Sequence, residues 1–308
     1  WMVPLIAILE GCNQIATVNR YRVLQAVCGN LVVWTCILLG FGLWVAVAIA
    51  LVKVLWEAWL VGVRYGGFFQ SFLRRPENET IDWRDEVWPL QWRQGVQVLF
   101  NYFGTALVVP VMFKYHDPLV AGRTGMTLTV IATLQAIALA WMQTRVPRFG
   151  MLISRGEYTE FDRIFRRLTI VSFSVLTAGG AAFLLGVAAV NLLGNDAFGT
   201  PTASAELVTK VAGRLAERLL SPAETAVFVL AALVLHLPQC QGLYIRAHKR
   251  DPLVWLTVLG NAAIGLGVWQ WGGRFGPLGA GAAYLAVLTL WTLPGHTLLW
   301  RHCRRNWR

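Results

Sequence analysis

The chain has 308 residues, of which 56% are apolar and only 14% charged, with 15 Trp and a net charge of +11; its mean hydropathy is +0.53. A soluble domain of average make-up carries about a quarter charged residues. This composition therefore leaves too few polar side chains to cover a water-facing surface, and it argues against a disordered, collagen-like, disulfide-stapled or ordinary soluble protein. The chain belongs in a bilayer, where Lys and Arg report first on loop orientation and only then on any polyanionic partner.

About 20 apolar residues cross the hydrocarbon core, and runs free of Asp, Glu, Lys and Arg predict an all-α polytopic protein with eight spans. In chain order they cover 22–39, 43–65, 90–114, 118–144, 166–194, 222–245, 252–271 and 277–299. Leu39-Gly40-Phe41-Gly42 divides the first long apolar run in two. Asp117-Pro118, Asp251-Pro252 and Ser221-Pro222-Ala223-Glu224 each read as an N-cap followed by Pro at the first helical position, the last as a full capping box. The polar stretch 70–88 separates two spans from six, so residues 1–66 form one region, 67–88 a cytoplasmic linker and 89–308 a six-helix lobe. Asn78-Glu79-Thr80 within that linker matches a glycosylation sequon, which a cytoplasmic position makes a chance match. Between the fifth and sixth spans, Leu207, Val211, Leu215 and Leu219 recur every fourth residue beside Lys210, Arg214 and Arg218, predicting an amphipathic helix on the outer surface. Cys12, Cys28, Cys36, Cys240 and Cys303 form no CxxC pair and read as packing residues.

Charge sets the orientation. With Arg20 and Arg22 inside, alternation places twenty of the 27 basic residues on the cytoplasmic side, six outside and Lys53 within a span. That asymmetry satisfies the positive-inside rule and accounts for most of the basic balance, so no nucleic-acid partner is implied. Both ends of the chain fall on the cytoplasmic side.

Polar side chains at membrane depth usually face a bundle interior or a wet cavity. Gln94, Gln97, Asn101 and Thr105 recur at helical spacing on the third span, with Arg93 at their inner end. Any one amide alone reads as glue between helices; four in register point equally to a cavity wall. Arg123 lies about 8 Å inside the fourth span at 1.5 Å per residue, either snorkelling to the interface or anchoring a phosphate with paired donors. Lys53 and Glu57, four apart, read as a neutralising pair or as part of an ion path. His236, Pro238 and Gln239 interrupt the sixth span, predicting a kink with a packing histidine. No nucleophile elbow, Walker loop or HExxH motif occurs. No catalytic residue, metal site or cofactor is expected, and the chain reads as a non-enzyme.

One local resemblance adds to this reading. Trp88-Pro89-Leu90-Gln91-Trp92-Arg93, Ala121-Gly122 with Gly125-Met126, Ala140-Trp141-Met142-Gln143-Thr144-Arg145, Pro147-Arg148-Phe149-Gly150, and Glu157-Tyr158 with Phe161-Asp162 and Phe165 carry it. Together with Leu9-Glu10-Gly11-Cys12-Asn13-Gln14 they resemble the Wzx-type O-antigen and polysaccharide flippases of the multidrug, oligosaccharidyl-lipid and polysaccharide exporter superfamily. The resemblance implies two six-helix lobes, of which this chain would carry the last two helices of the first and all of the second, with roughly the first four spans of the family pattern absent or remnant. It implies translocation of a polyprenyl-diphosphate-linked oligosaccharide across the bacterial cytoplasmic membrane, with membrane lipid and a polysaccharide polymerase as partners. On that reading Arg93 and Arg123 hold phosphate, Gln94, Gln97 and Asn101 hold sugar hydroxyls, and Lys53 with Glu57 serve gating or coupling. A drug or cation antiporter of the same superfamily is the alternative, and a membrane-embedded glycosyl or acyl transferase is the alternative of a different class.

Overall fold

The computed structural model describes residues 3–12, 14–73, 82–194, 203–248 and 251–307. The Arg74-Arg75 pair, the sequon at 78–80, Asn195, Lys249, Arg250 and Arg308 lie outside the described residues. Every regular element among the described residues is helical, as a chain whose backbone polar groups must be satisfied within hydrocarbon requires. The chain divides into two compact units, Trp1–Ile81 and Asp82–Arg308.

The first unit holds α1 (Val3–Gly11), α2 (Ile15–Leu38), α3 (Trp44–Trp59) and α4 (Gly66–Leu73), with a π-helical turn, Leu60–Arg64, between the last two. The helices α2 and α3 form a hairpin around Gly40 and Gly42, whose φ of 75° and 53° only glycine adopts at no steric cost. Across it, Trp56 donates its indole N–H to the Tyr21 carbonyl at 3.1 Å. Leu38, Leu43, Trp34 and Leu55 are exposed. On a soluble domain such a surface would mark an aggregation site; on a membrane span it faces lipid.

In the second unit a π-helical turn at Trp83–Val87, capped by the Asp82 carboxylate, runs into α5 (Trp88–Ala106). α6 (Val108–Tyr115) continues the same span after a 40° bend. Pro110 supplies no N–H to the Ala106 carbonyl four residues back, and α5 ends at that residue. There follow α7 (Pro118–Gln143), α8 (Val146–Ser154), α9 (Tyr158–Gly194), α10 (Ala203–Ala216) and α11 (Pro222–Ala247). Asp117 accepts from the Leu119 N–H at 3.0 Å, and Ser221 with Glu224 closes the capping box, as their sequence predicts. At 37 residues α9 is about 56 Å long; it starts eight residues before the expected span and stands well clear of the hydrocarbon at its arginine-rich end. The helix α11 passes through Pro238 without a break.

Residues Val254–Asn306, 53 in all, are helical nearly throughout, with α12 (Val254–Gly267), α13 (Gly273–Val287) and α14 (Leu293–Asn306) joined by π-helical turns at Val268–Gly272 and Leu288–Thr292. The chain reverses within this stretch at Gly276, whose φ of 67° and ψ of −152° lie in a region open essentially only to glycine. The two arms then meet tightly. A Cβ placed on Gly272 would lie 3.0 Å from the Ala280 methyl, and one on Gly279 only 2.4 Å from the Trp271 carbonyl oxygen. Carbonyls at the end of the first arm have no following donors, and His116 Nε2 donates to that of Gly272 at 2.8 Å. Six continuous helices among the described residues are long and apolar enough to span, and the bent α5–α6 pair makes one more. The reversal at Gly276 divides the last of the six into two, in line with eight expected spans.

Two cores hold the second unit together. One gathers Met112, Ile131, Phe228, Ile264 and Leu288 from α6, α7, α11, α12 and the turn after α13. The other sits at the arginine-rich end, where Phe161 stacks on Tyr244 at 4.5 Å with Phe149 and Phe165 edge-on around it.

Candidate functional site

The second unit holds a partly open cavity of about 420 Å³. Gln94, Gln97, Val98 and Asn101 of α5 form one wall, Gln143 of α7 and Gln239, Gly242 and Arg246 of α11 another, and Thr257 and Asn261 of α12 a third. Tyr284, Thr292 and His296 close it from the last hairpin. From Leu235 to Arg246 the lining extends along about 16 Å of helix, roughly half the hydrocarbon thickness. The π-helical turn at Leu288–Thr292 aims Leu288 and Thr292 at this space, a use of π turns that recurs at functional sites. Gly104 makes room for Asn261, since a Cβ there would come within 2.6 Å of the Asn261 Oδ1.

The cavity is bounded at one end by a built polar network. The Asp251 side chain is wholly buried, and its Oδ2 accepts from Gln97 Nε2 at 3.0 Å and from Arg246 Nε at 3.4 Å. Its Oδ1 accepts from the Leu253 N–H at 3.2 Å, capping the chain that leads into α12. Arg246 Nη2 in turn donates to Gln97 Oε1 at 3.0 Å. Gln97 is thereby used on both sides of its amide, while the Arg246 side chain stays 48% exposed and, among the described residues, carries the one fixed positive charge in the lining. Elsewhere the wall is polar but unsaturated: Gln239 Oε1 and His296 Nδ1 are buried without a hydrogen-bond partner. Buried polar atoms are rarely left so, and amides, which both donate and accept, suit a hydroxyl-rich guest.

Of the residues singled out in the sequence, Gln94, Gln97 and Asn101 come together in this cavity. Thr105 does not join them; its hydroxyl donates back to the Asn101 carbonyl at 2.9 Å. Arg93 and Arg123 do not line it. Arg93 lies 5.9 Å over the Trp92 ring, and Arg123 Nε donates to the Glu217 carbonyl at 2.7 Å, tying α7 to the end of α10. Thr127, one turn on, accepts from the Leu220 N–H at 3.1 Å. Lys53 and Glu57 line a separate cavity in the first unit with Glu10, Arg22 and Gln25. There the ion pair joins Arg22 to Glu10, at 2.8 Å, and Lys53 and Glu57 are not within ion-pair distance of each other.

Arg246, Asp251, Asn261 and His296 escape a reading of the sequence as site residues for different reasons, and Gln239 is visible there only as part of a kink. Arg246 counts there only as one of the twenty cytoplasmic-side basic residues and Asp251 as a helix cap, and only their approach to Gln97 gives them a shared role. The amides on α11 and α12 lack the repeat that marks α5. His236 packs as expected but is also paired: Ser172 Oγ lies 2.6 Å from the Ala138 carbonyl and 2.7 Å from His236 Nε2. A carbonyl only accepts, so the serine proton goes to Ala138, and His236 donates to Ser172 from Nε2. Among the described residues no three His, Cys, Asp or Glu side chains converge as a metal site would require. Compared with family models, curated proteins and solved structures, the chain matches none.

Proposed function

We propose that this multi-pass membrane protein is a flippase of the bacterial cytoplasmic membrane, moving a polyprenyl-diphosphate-linked oligosaccharide between leaflets by alternating access, with its C-terminus cytoplasmic. The observation that carries the reading is the cavity of the second unit, lined by Gln94, Gln97, Asn101, Gln239 and Asn261 and closed by one half-exposed arginine. Amides in a bilayer are costly unless they serve helix pairing or a polar guest, and here two buried polar atoms in the wall have no protein partner. Sugar hydroxyls, which both donate and accept, satisfy such a wall whichever role each atom takes, while the polyprenyl tail needs no cavity because the bilayer already solvates it. Arg246, the cation in the lining, takes the diphosphate role that the resemblance assigns to Arg93 and Arg123. The second unit then serves as one lobe of an alternating-access carrier. A polysaccharide polymerase is the partner expected downstream.

The test is genetic and chemical. Asn101→Leu and Gln239→Leu, each at normal protein level, should abolish surface polysaccharide and leave lipid-linked oligosaccharide on the cytoplasmic leaflet, whereas Arg123→Ala should export normally. Normal export by both cavity variants would remove the basis of the reading.

A further inference from the structure

A second cavity, of about 640 Å³, lies between α9, α11 and α14 near their arginine-rich ends, and it shares no lining residue with the first. Its mouth carries Arg163, Arg166 and Arg304 with the Asp162 carboxylate. That carboxylate is already used: Arg304 binds Oδ2 at 2.8 and 3.2 Å, and the Tyr244 hydroxyl donates to Oδ1 at 2.9 Å. Arg304 also lies 5.3 Å over the Trp300 ring, and Arg163 pairs with Glu160. Arg166 is exposed and has no ion-pair partner among the described residues. One helical turn deeper the walls hold three buried polar atoms without a hydrogen-bond partner, Thr169 Oγ1, Gln241 Oε1 and Trp300 Nε1. Deeper still the lining turns apolar with Ile170 and Leu237, and Ile170 is 60% exposed on the lipid-facing surface.

We propose that this groove binds one anionic phospholipid with a hydroxylated headgroup. From mouth to floor the wall runs from cations, through hydrogen-bonding groups, to apolar side chains, which is the order of phosphate, ester and headgroup oxygens, and acyl chain in such a lipid. Arg166 and Arg163 hold the phosphate, as basic pockets between membrane helices do. The Trp300 indole N–H and the Thr169 hydroxyl donate to ester carbonyls, and Gln241 Oε1 accepts from a headgroup hydroxyl, so each orphaned atom gains a partner of the right polarity. The Tyr244, Asp162 and Arg304 chain holds the mouth in shape without offering a free carboxylate to repel the phosphate. The site stands independently of the transport reading.

The full chain, purified in detergent micelles, is tested with phosphatidylglycerol and with phosphatidylcholine of the same acyl chains. Phosphatidylglycerol should raise Tm by several degrees, as a ligand of the native state does, and one molecule should remain bound in native mass spectrometry; phosphatidylcholine should do neither. Arg166→Gln and Trp300→Phe should keep the parent Tm in phosphatidylcholine and lose at least half of the phosphatidylglycerol shift. Arg301→Gln, an exposed cation outside the groove, should keep all of it. Equal shifts with both lipids, full shifts in Arg166→Gln and Trp300→Phe, or an equal loss in Arg301→Gln would overturn the proposal. So would an equal shift from millimolar inorganic phosphate, which would assign the cations to a free anion.

Discussion

Replacing Asp251 offers the sharpest test of the network that bounds the central cavity. In Asp251→Leu three donors lose their acceptor. The Leu253 N–H loses its cap, worth about 1 kcal/mol. The amide of Gln97, a residue only 5% exposed, is left unsatisfied at about 1–3 kcal/mol. The Arg246 pair adds about 0–1 kcal/mol, since that side chain is half in solvent. Asp251→Leu should therefore destabilise the protein by about 3 kcal/mol. Asp251→Asn keeps an oxygen for the Leu253 cap but turns a second donor toward Gln97 and Arg246, and should cost about 2 kcal/mol. Gln97→Leu added to Asp251→Leu should cost at least about 1 kcal/mol less than on the parent, because the partner it would orphan is already gone. Reversible unfolding in mixed micelles, titrated with dodecyl sulfate and followed by circular dichroism, measures all four corners of this cycle. Strict additivity, or an Asp251→Leu protein within about 0.5 kcal/mol of the parent, would refute the assignment.

Gly276→Ala should destabilise by about 1–3 kcal/mol in the same unfolding assay, because the φ and ψ there are strained for any side chain; Gly279→Ala, which forces a methyl onto the Trp271 carbonyl, should lower the yield of folded protein more severely. Ser172→Ala leaves the Nε2 proton of His236 buried without an acceptor and should cost about 1–3 kcal/mol, an effect that His236→Phe in the same background should relieve in part. For orientation, Asn306→Cys should add labelling by a membrane-impermeant thiol reagent only after cells are opened, and Arg218→Cys should add it in intact cells; the native Cys303 is buried and a poor reporter. Labelling of Asn306→Cys in intact cells would reverse the topology.

Much of this protein is decided within short stretches of chain. Hydrocarbon length sets the spans, and Asp117, Ser221 and Glu224 set helix starts, because a cap and its amide lie within three residues of each other. The periodic amides of α5 are likewise visible, since one helix alone determines that they share a face. The division between the last two spans is likewise visible, since Arg274 interrupts the apolar run there. What those amides face is a different matter. Gln97 meets Asp251 across 154 residues, and Arg246 reaches Gln97 across 149. Arg123, equally prominent in the sequence, turns instead to the Glu217 carbonyl. In hydrocarbon every helix satisfies its own backbone, so the spans stand without their neighbours. Side-chain groups have no such internal partner, and only the packing of α5 against α12, with α11 across the cavity from it, determines which of them meet and which are left to face open space.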